Sequence, residues 1–182
     1  MRQQSKLKGM INLNLYRWII AIIGGTAILL GGVFLFLIFS DINEQQQKAQ
    51  EQAKEQEKFE EKVEAVSVDE DNLPTESFFQ DMLHKMTHQK VRSDEKWAGH
   101  LRITDERIAE MQAVLNNIEG TSKEYDHFDF YERTLKAWGR GDFDNAVEVH
   151  NTIWDWKGGS VGKAKGLLSK AEEKQYIETH FE

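Results

Sequence analysis

The sequence predicts an all-α protein: one N-terminal transmembrane helix continuing into a polar helical stalk, then a compact bundle of about five short helices. Three observations predict this architecture. Trp18 to Phe39 form an uncharged, predominantly apolar run. Residues 41–66 are rich in Gln, Glu and Lys and contain no Gly or Pro. Beyond residue 73, apolar residues recur at helical spacing between Thr, Gly and Ser punctuation, and no stretch sustains the period-two alternation of a half-buried strand. The expected segments are a basic cytoplasmic tail over 1–17, a span over 18–39, an acidic stalk over 40–72 and a helical domain over 73–182.

At about 1.5 Å rise per residue, the apolar run is long enough for a bilayer core of about 30 Å. Tyr16 and Trp18 stand where an interfacial aromatic belt belongs. Arg2, Lys6, Lys8 and Arg17 precede the run with no acidic residue among them. The positive-inside rule therefore predicts a cytoplasmic N-terminus and an extracytoplasmic C-terminal domain. A cleaved signal peptide has a shorter apolar region and a small-residue cleavage site, whereas this run exits through Leu37-Ile38-Phe39-Ser40-Asp41. The expectation is an uncleaved signal anchor in the cell membrane, with the lipid bilayer as partner of residues 18–39. Ala21, Gly25 and Gly32 share one face and Gly24, Ala27 and Gly31 another. Such faces leave a homodimer through the span open, although the strict GxxxG pattern is missing.

Glu44 to Lys62 consists of good helix formers, so the membrane helix is predicted to continue outward. Ile42, Ala49 and Val63 keep one heptad position, but Gln56 interrupts it. The stalk therefore reads as a solvated spacer helix and not as a coiled coil. Pro74 and the acidic run before it end that helix and mark the domain boundary.

Five helices are predicted in the domain. Thr75 caps the first, which carries Phe78, Phe79, Met82, Leu83 and Met86. Thr104 caps the second, with Ile103 and Ile108 as a hydrophobic staple and Met111, Leu115 and Ile118 inward. The third presents Phe128, Tyr131, Leu135 and Trp138. Gly139-Arg140-Gly141-Asp142 turns the chain, with Asp142 expected to cap a fourth carrying Phe143, Ala146, Val147, Ile153 and Trp154, ended by Gly158 and Gly159. Ser169 to Glu172 forms a capping box for the last helix, which ends near His180.

The chain carries a net charge of −8. Residues 41–72 hold 4 basic and 11 acidic residues, and residues 73–182 hold 15 and 20. Such an acidic exterior repels phosphate, so nucleic acid is not expected as a partner. With no cysteine, no disulfide supports the domain, which fits an envelope where disulfides are not routinely made.

Thr134 to Ala146, an aromatic-rich helix ending at Gly139 followed by Gly141-Asp142-Phe143-x-x-Ala146, resembles the middle of a tetratricopeptide repeat. One copy is visible, so a single helical hairpin is implied and not an array. Ala137-Trp138-Gly139-x-Gly141-Asp142-Phe143, His150-Asn151-x-Ile153-Trp154 and Gly158-Gly159-x-x-Gly162-Lys163-Ala164 make roughly residues 75–182 similar to a family of small membrane-anchored Gram-positive bacterial proteins of unknown function. That resemblance implies an N-terminal span and a helical outer domain, and it carries no activity or ligand.

Candidate chemistry is sparse. His84 and His88, four apart, have metal-ligand spacing, but the helical wheel puts them opposite the apolar face, in solvent. His84 is not followed by the glutamate of the zinc-protease pattern, and a site needs a third ligand such as His100 or Asp81. His150 lies on an apolar face, where a hydrogen-bonded core histidine is the plain reading. The alternative is a pocket in which His150, Asn151, Trp154 and Trp156 hold a ligand or peptide, with Trp138 and Lys163 at its margin. Gly158 to Lys163 does not make a phosphate loop: Lys157 stands where the first glycine belongs, Ala164 follows Lys163, and the preceding element is helical. It reads as a flexible surface loop whose Lys157, Lys163 and Lys165 form a basic island. Asp126, His127 and Asp129 read as a solvated edge. No catalytic residue, metal ligand set or cofactor is assigned. The leading expectation is a non-catalytic module that binds an envelope protein or peptide. The alternatives are a small extracytoplasmic metal-binding or hydrolytic domain using histidines, and a structural anchor working through span and stalk.

Overall fold

The computed structural model describes residues 2–96 and 99–182, and for residues 2–15 and 20–31 the helical backbone alone. The chain divides into two compact units, Met1–Glu51 and Gln52–Glu182.

Helix α1 spans Arg2–Glu64. Within the first unit its side chains from Val33 to Phe39 are exposed, Phe36 to 71%. Glu44 and Lys48 make an i,i+4 pair of 2.7 Å, a surface contact worth only a few tenths of a kcal/mol. Among the described residues no helix is long and apolar enough to cross a membrane. The side chains of residues 20–31, the middle of the expected span, lie outside those described, among them Ala21, Ala27 and the other small residues of its two faces within that stretch.

The second unit is helical, as the apolar spacing predicts. Its elements are the end of α1, a 3₁₀ turn at Glu70–Asn72, α2 (Glu76–Thr87), α3 (Asp105–Ile118), α4 (Phe128–Gly139), α5 (Ala146–Trp156) and α6 (Lys170–Phe181). Thr75 accepts from the Phe78 amide, Thr104 from the Arg107 amide, and Ser169 with Glu172 completes its capping box. α2 packs on α5 and α3 on α4. Phe79, Leu83 and Met86, Ile108, Met111 and Leu115, Tyr131, Leu135 and Trp138, and Val149 and Ile153 form one buried core. Phe78, expected on the buried arc, is 57% exposed instead.

Several features depart from the sequence reading. Phe59 and Val63, taken as part of a solvated stalk, are 4% and 7% exposed and belong to the core. Phe59 lies on Gly139, where a Cβ would come within 2.6 Å of its ring. α5 starts at Ala146, not after Asp142. Trp138 Nε1 donates to Asn145 Oδ1 at 2.8 Å, and Asp142 instead accepts from the Asp144 amide within the turn. A short antiparallel ladder pairs β1 (Val91–Arg92) with β2 (Gly166–Leu167), each only two residues long, too short for period-two alternation to show. That ladder draws the loop after α5 alongside the end of α2.

Candidate metal centre

Leu83 and Met86 point the inner face of α2 into the core, which carries Thr87 and His88 inward at the helix end. α5, packed against it, presents His150 from its own buried face. One ring nitrogen from each of His84, His88 and His150 lies within 4.8 Å of the others. Their ring centroids are 4.4 Å (His84–His150), 5.0 Å (His84–His88) and 5.4 Å (His88–His150) apart. His88 and His150 are each 1% exposed. His84 is half-buried, and its Nε2 is fully enclosed with no hydrogen-bond partner among the described residues. The expectation that His84 and His88 face solvent is therefore overturned. A wheel locates side chains relative to their own helix, whereas α5 and the loops at Gly99 and Gly162 cover the polar side here.

Hydrogen bonds assign the ring protons. His88 Nδ1 faces the Gly99 carbonyl at 2.9 Å and His150 Nε2 faces the Gly162 carbonyl at 3.0 Å. A carbonyl only accepts, so those nitrogens carry hydrogen and the opposite ones, His88 Nε2 and His150 Nδ1, carry lone pairs. Backbone carbonyls holding the far nitrogen are how ligating imidazoles are oriented. His150 Nδ1 lies 2.9 Å from Thr87 Oγ1, which also donates to the His84 carbonyl. Burial, and then the neighbouring His150, push His84 down to about 4. Burial likewise pushes His88 to about 3 and lowers His150. All three are neutral imidazoles at physiological pH. Metal–nitrogen bonds of about 2.0–2.1 Å set ligating nitrogens roughly 3.3–3.6 Å apart, somewhat closer than the 4.8 Å within which these three lie.

The array continues outward. The His100 ring lies 6.1 Å from that of His88, stacks on His180 at 3.9 Å, and bonds Tyr176 through Nδ1. The Lys96 ammonium donates to the His88 carbonyl at 2.7 Å, lies over the Tyr176 ring, and is pushed down to about 8 by burial.

The six residues proposed from sequence have separate fates. His150, Asn151 and Trp154 converge on one segment. Asn151 bonds both the amide and the carbonyl of Ala164 (2.8 and 3.1 Å), and Trp154 Nε1 donates to the Val161 carbonyl at 2.6 Å. Gly159 lies against the Trp154 indole so closely that a Cβ would approach to 2.3 Å. The glycine segment is thus tied down over α5. The basic island is paired as well: Lys157 with Asp81 at 2.7 Å, Lys163 with Asp155 at 3.9 Å, and Lys165 with Asp94. Lys163 also lies over the Trp154 ring. Trp138 is a core residue, 1% exposed. Trp156 stacks on His127 at 3.7 Å on a half-exposed surface. Sequence reasoning paired His84 with His88, kept His150 apart, and looked for a third ligand such as His100 or Asp81. Only helix pairing brings His150, 62 positions beyond His88, to the pair on α2.

A family model described as "Family of unknown function (DUF6241)" matches residues 83–178, a stretch that contains all three clustered histidines. No curated protein and no solved structure matches the chain.

Proposed function

This chain belongs to the DUF6241 family of unknown function, and we propose that its helical domain binds a transition-metal ion through His84, His88 and His150, on a single-pass membrane anchor. The observation that carries the reading is the convergence of three neutral imidazole donors, with an enclosed and unpartnered His84 Nε2 among them. An orphaned buried nitrogen costs about 1–3 kcal/mol, and a bound ion removes that cost. Thr87 can release His150 Nδ1 without leaving its own hydroxyl unpaired, since the His84 carbonyl accepts the same proton. Among the described residues the cluster is made of three histidines with no carboxylate among its donors.

The anchor rests on the uncharged run from Trp18 to Phe39, its basic N-terminal flank, and the exposed Val33 to Phe39 side chains, which have no business in water. On this reading the N-terminus is cytoplasmic and the histidine centre lies outside the membrane, in an envelope of Gram-positive type. A second reading, recognition of an envelope protein or peptide, is favoured by the half-exposed aromatic surface of Trp156, His127 and Phe130, with ring centroids of 3.7 and 5.0 Å from Trp156.

The test is metal content. Full-length protein in detergent, stripped with chelator and then exposed to Zn²⁺ or Cu⁺, should retain one ion per chain by elemental mass spectrometry. His84→Ala and His150→Ala should retain none while keeping a helical circular dichroism spectrum, and His180→Ala should bind normally. Equal retention by wild type and both cluster variants would sink the proposal.

A further inference from the structure

The histidine centre is unusual in its charge. Each ligand is a neutral imidazole, and among the described residues no Asp or Glu joins the cluster. The charged groups that bear on the three rings are cations: Lys157 and Lys85 on His84, and Lys96 on His88 and His150. Asp81, the acidic residue nearest in sequence on α2, is already paired with Lys157 at 2.7 Å. An ion entering this site keeps its whole formal charge. The cost of removing an ion from water rises with the square of that charge, so a dication is penalised about four times as heavily as a monocation. Repulsion from Lys96, whose ammonium donates to the His88 carbonyl at 2.7 Å, doubles as well.

Coordination number points the same way. His88 and His150 are each 1% exposed, and their rings are held by the Gly99 and Gly162 carbonyls. Three protein nitrogens leave zinc short of its tetrahedral set, and zinc sites of this kind complete it with water, which here needs space inside the cluster. A d¹⁰ monocation is content with three nitrogens in a plane. Imidazole suits copper and zinc alike, so donor type does not separate them and charge does. Hard dications such as Mg²⁺ and Ca²⁺ take oxygen ligands, whereas the three convergent donors here are imidazole nitrogens.

We propose, resting on the histidine-centre reading above, that the ion this site selects is cuprous copper, held by His84, His88 and His150 in a three-coordinate, carboxylate-free site. The positive surroundings act as the selectivity element against Zn²⁺, with Lys96 the part of it that reaches both His88 and His150.

The experiment measures Cu⁺ and Zn²⁺ affinity of the full-length protein in detergent without oxygen, each against a coloured chelator of that ion. Cu⁺ should bind at one per chain and more tightly than Zn²⁺, with three nitrogen neighbours in X-ray absorption. Lys96→Gln supplies a second reading that does not depend on the ligands. If removing that cation raises Cu⁺ affinity by some factor, it should raise Zn²⁺ affinity by about the square of that factor. Tighter binding of Zn²⁺, a fourth ligand on copper, or an equal response of both ions to Lys96→Gln would overturn the copper assignment and leave the metal site standing. Failure of both ions to bind would overturn the site itself.

Discussion

Thr87 has one hydroxyl proton and two acceptors for it, the His84 carbonyl and His150 Nδ1. That economy lets the centre exist without metal and open to it. The metal-free state should pay in acid. His84 and His88 titrate at about 4 and about 3 in the fold, against an ordinary 6.5 in the unfolded chain. Between those values the unfolded chain binds more protons, so stability is full above about pH 6.5 and falls as pH drops towards 3. By pH 5 the loss amounts to about 2 kcal/mol for each histidine, with His150 adding in the same direction. Urea denaturation of metal-free protein should show it as a lower midpoint at pH 5 than at pH 7. An unchanged midpoint would mean the histidines are not buried as described.

α4 begins without a side-chain cap of its own, since its N-cap residue His127 makes none. The cap comes from α2: the Glu76 carboxylate accepts from the Asp126 and His127 amides at 3.0 and 3.1 Å and from the Tyr131 hydroxyl at 2.7 Å. Gln80 Nε2 donates to the same hydroxyl at 2.8 Å. One carboxylate therefore satisfies the two backbone amides that lead into α4 and couples two elements. Glu76→Ala should cost about 2–3 kcal/mol and speed hydrogen exchange at the Asp126 and His127 amides ahead of the rest. Uniform exchange would show that the carboxylate is not the cap. Asp126 and Asp129 are exposed, in keeping with the solvated edge read from sequence, while the backbone of Asp126 and His127 is held from another helix.

The folded unit is larger than the apolar pattern marks. It begins at Gln52, because Phe59 and Val63 on the last turns of α1 are buried with the core and Phe59 closes over Gly139. A chain cut at residue 73 loses both and leaves their socket open, at about 4 kcal/mol or more by the measure of large-to-small core changes. Residues 52–182 should therefore melt as one cooperative transition, and residues 73–182 at a clearly lower temperature by calorimetry. Identical melting would put Phe59 and Val63 outside the stabilising core.

What the sequence alone determined was local. Thr75, Thr104 and Ser169 cap helices because a side-chain oxygen three residues before an amide suffices, and Gly120 and Gly158 end them at positive φ (67° each). The i, i+3, i+4 recurrence of apolar residues marked α2 to α5 for the same reason: both partners of each signal lie within one helical turn. The tertiary structure alone decided what depends on distant segments. Whether Phe59 is stalk or core depends on a glycine 80 positions later, and whether Glu76 is a surface acid or a cap depends on where α4 starts. The histidine centre is the clearest case. His84 and His88 look solvated on their own wheel, and His150 looks like a core residue on its own. Only the pairing of α2 with α5, and of β1 with β2, closes a low-dielectric space around them and turns three ordinary histidines into one set of convergent donors.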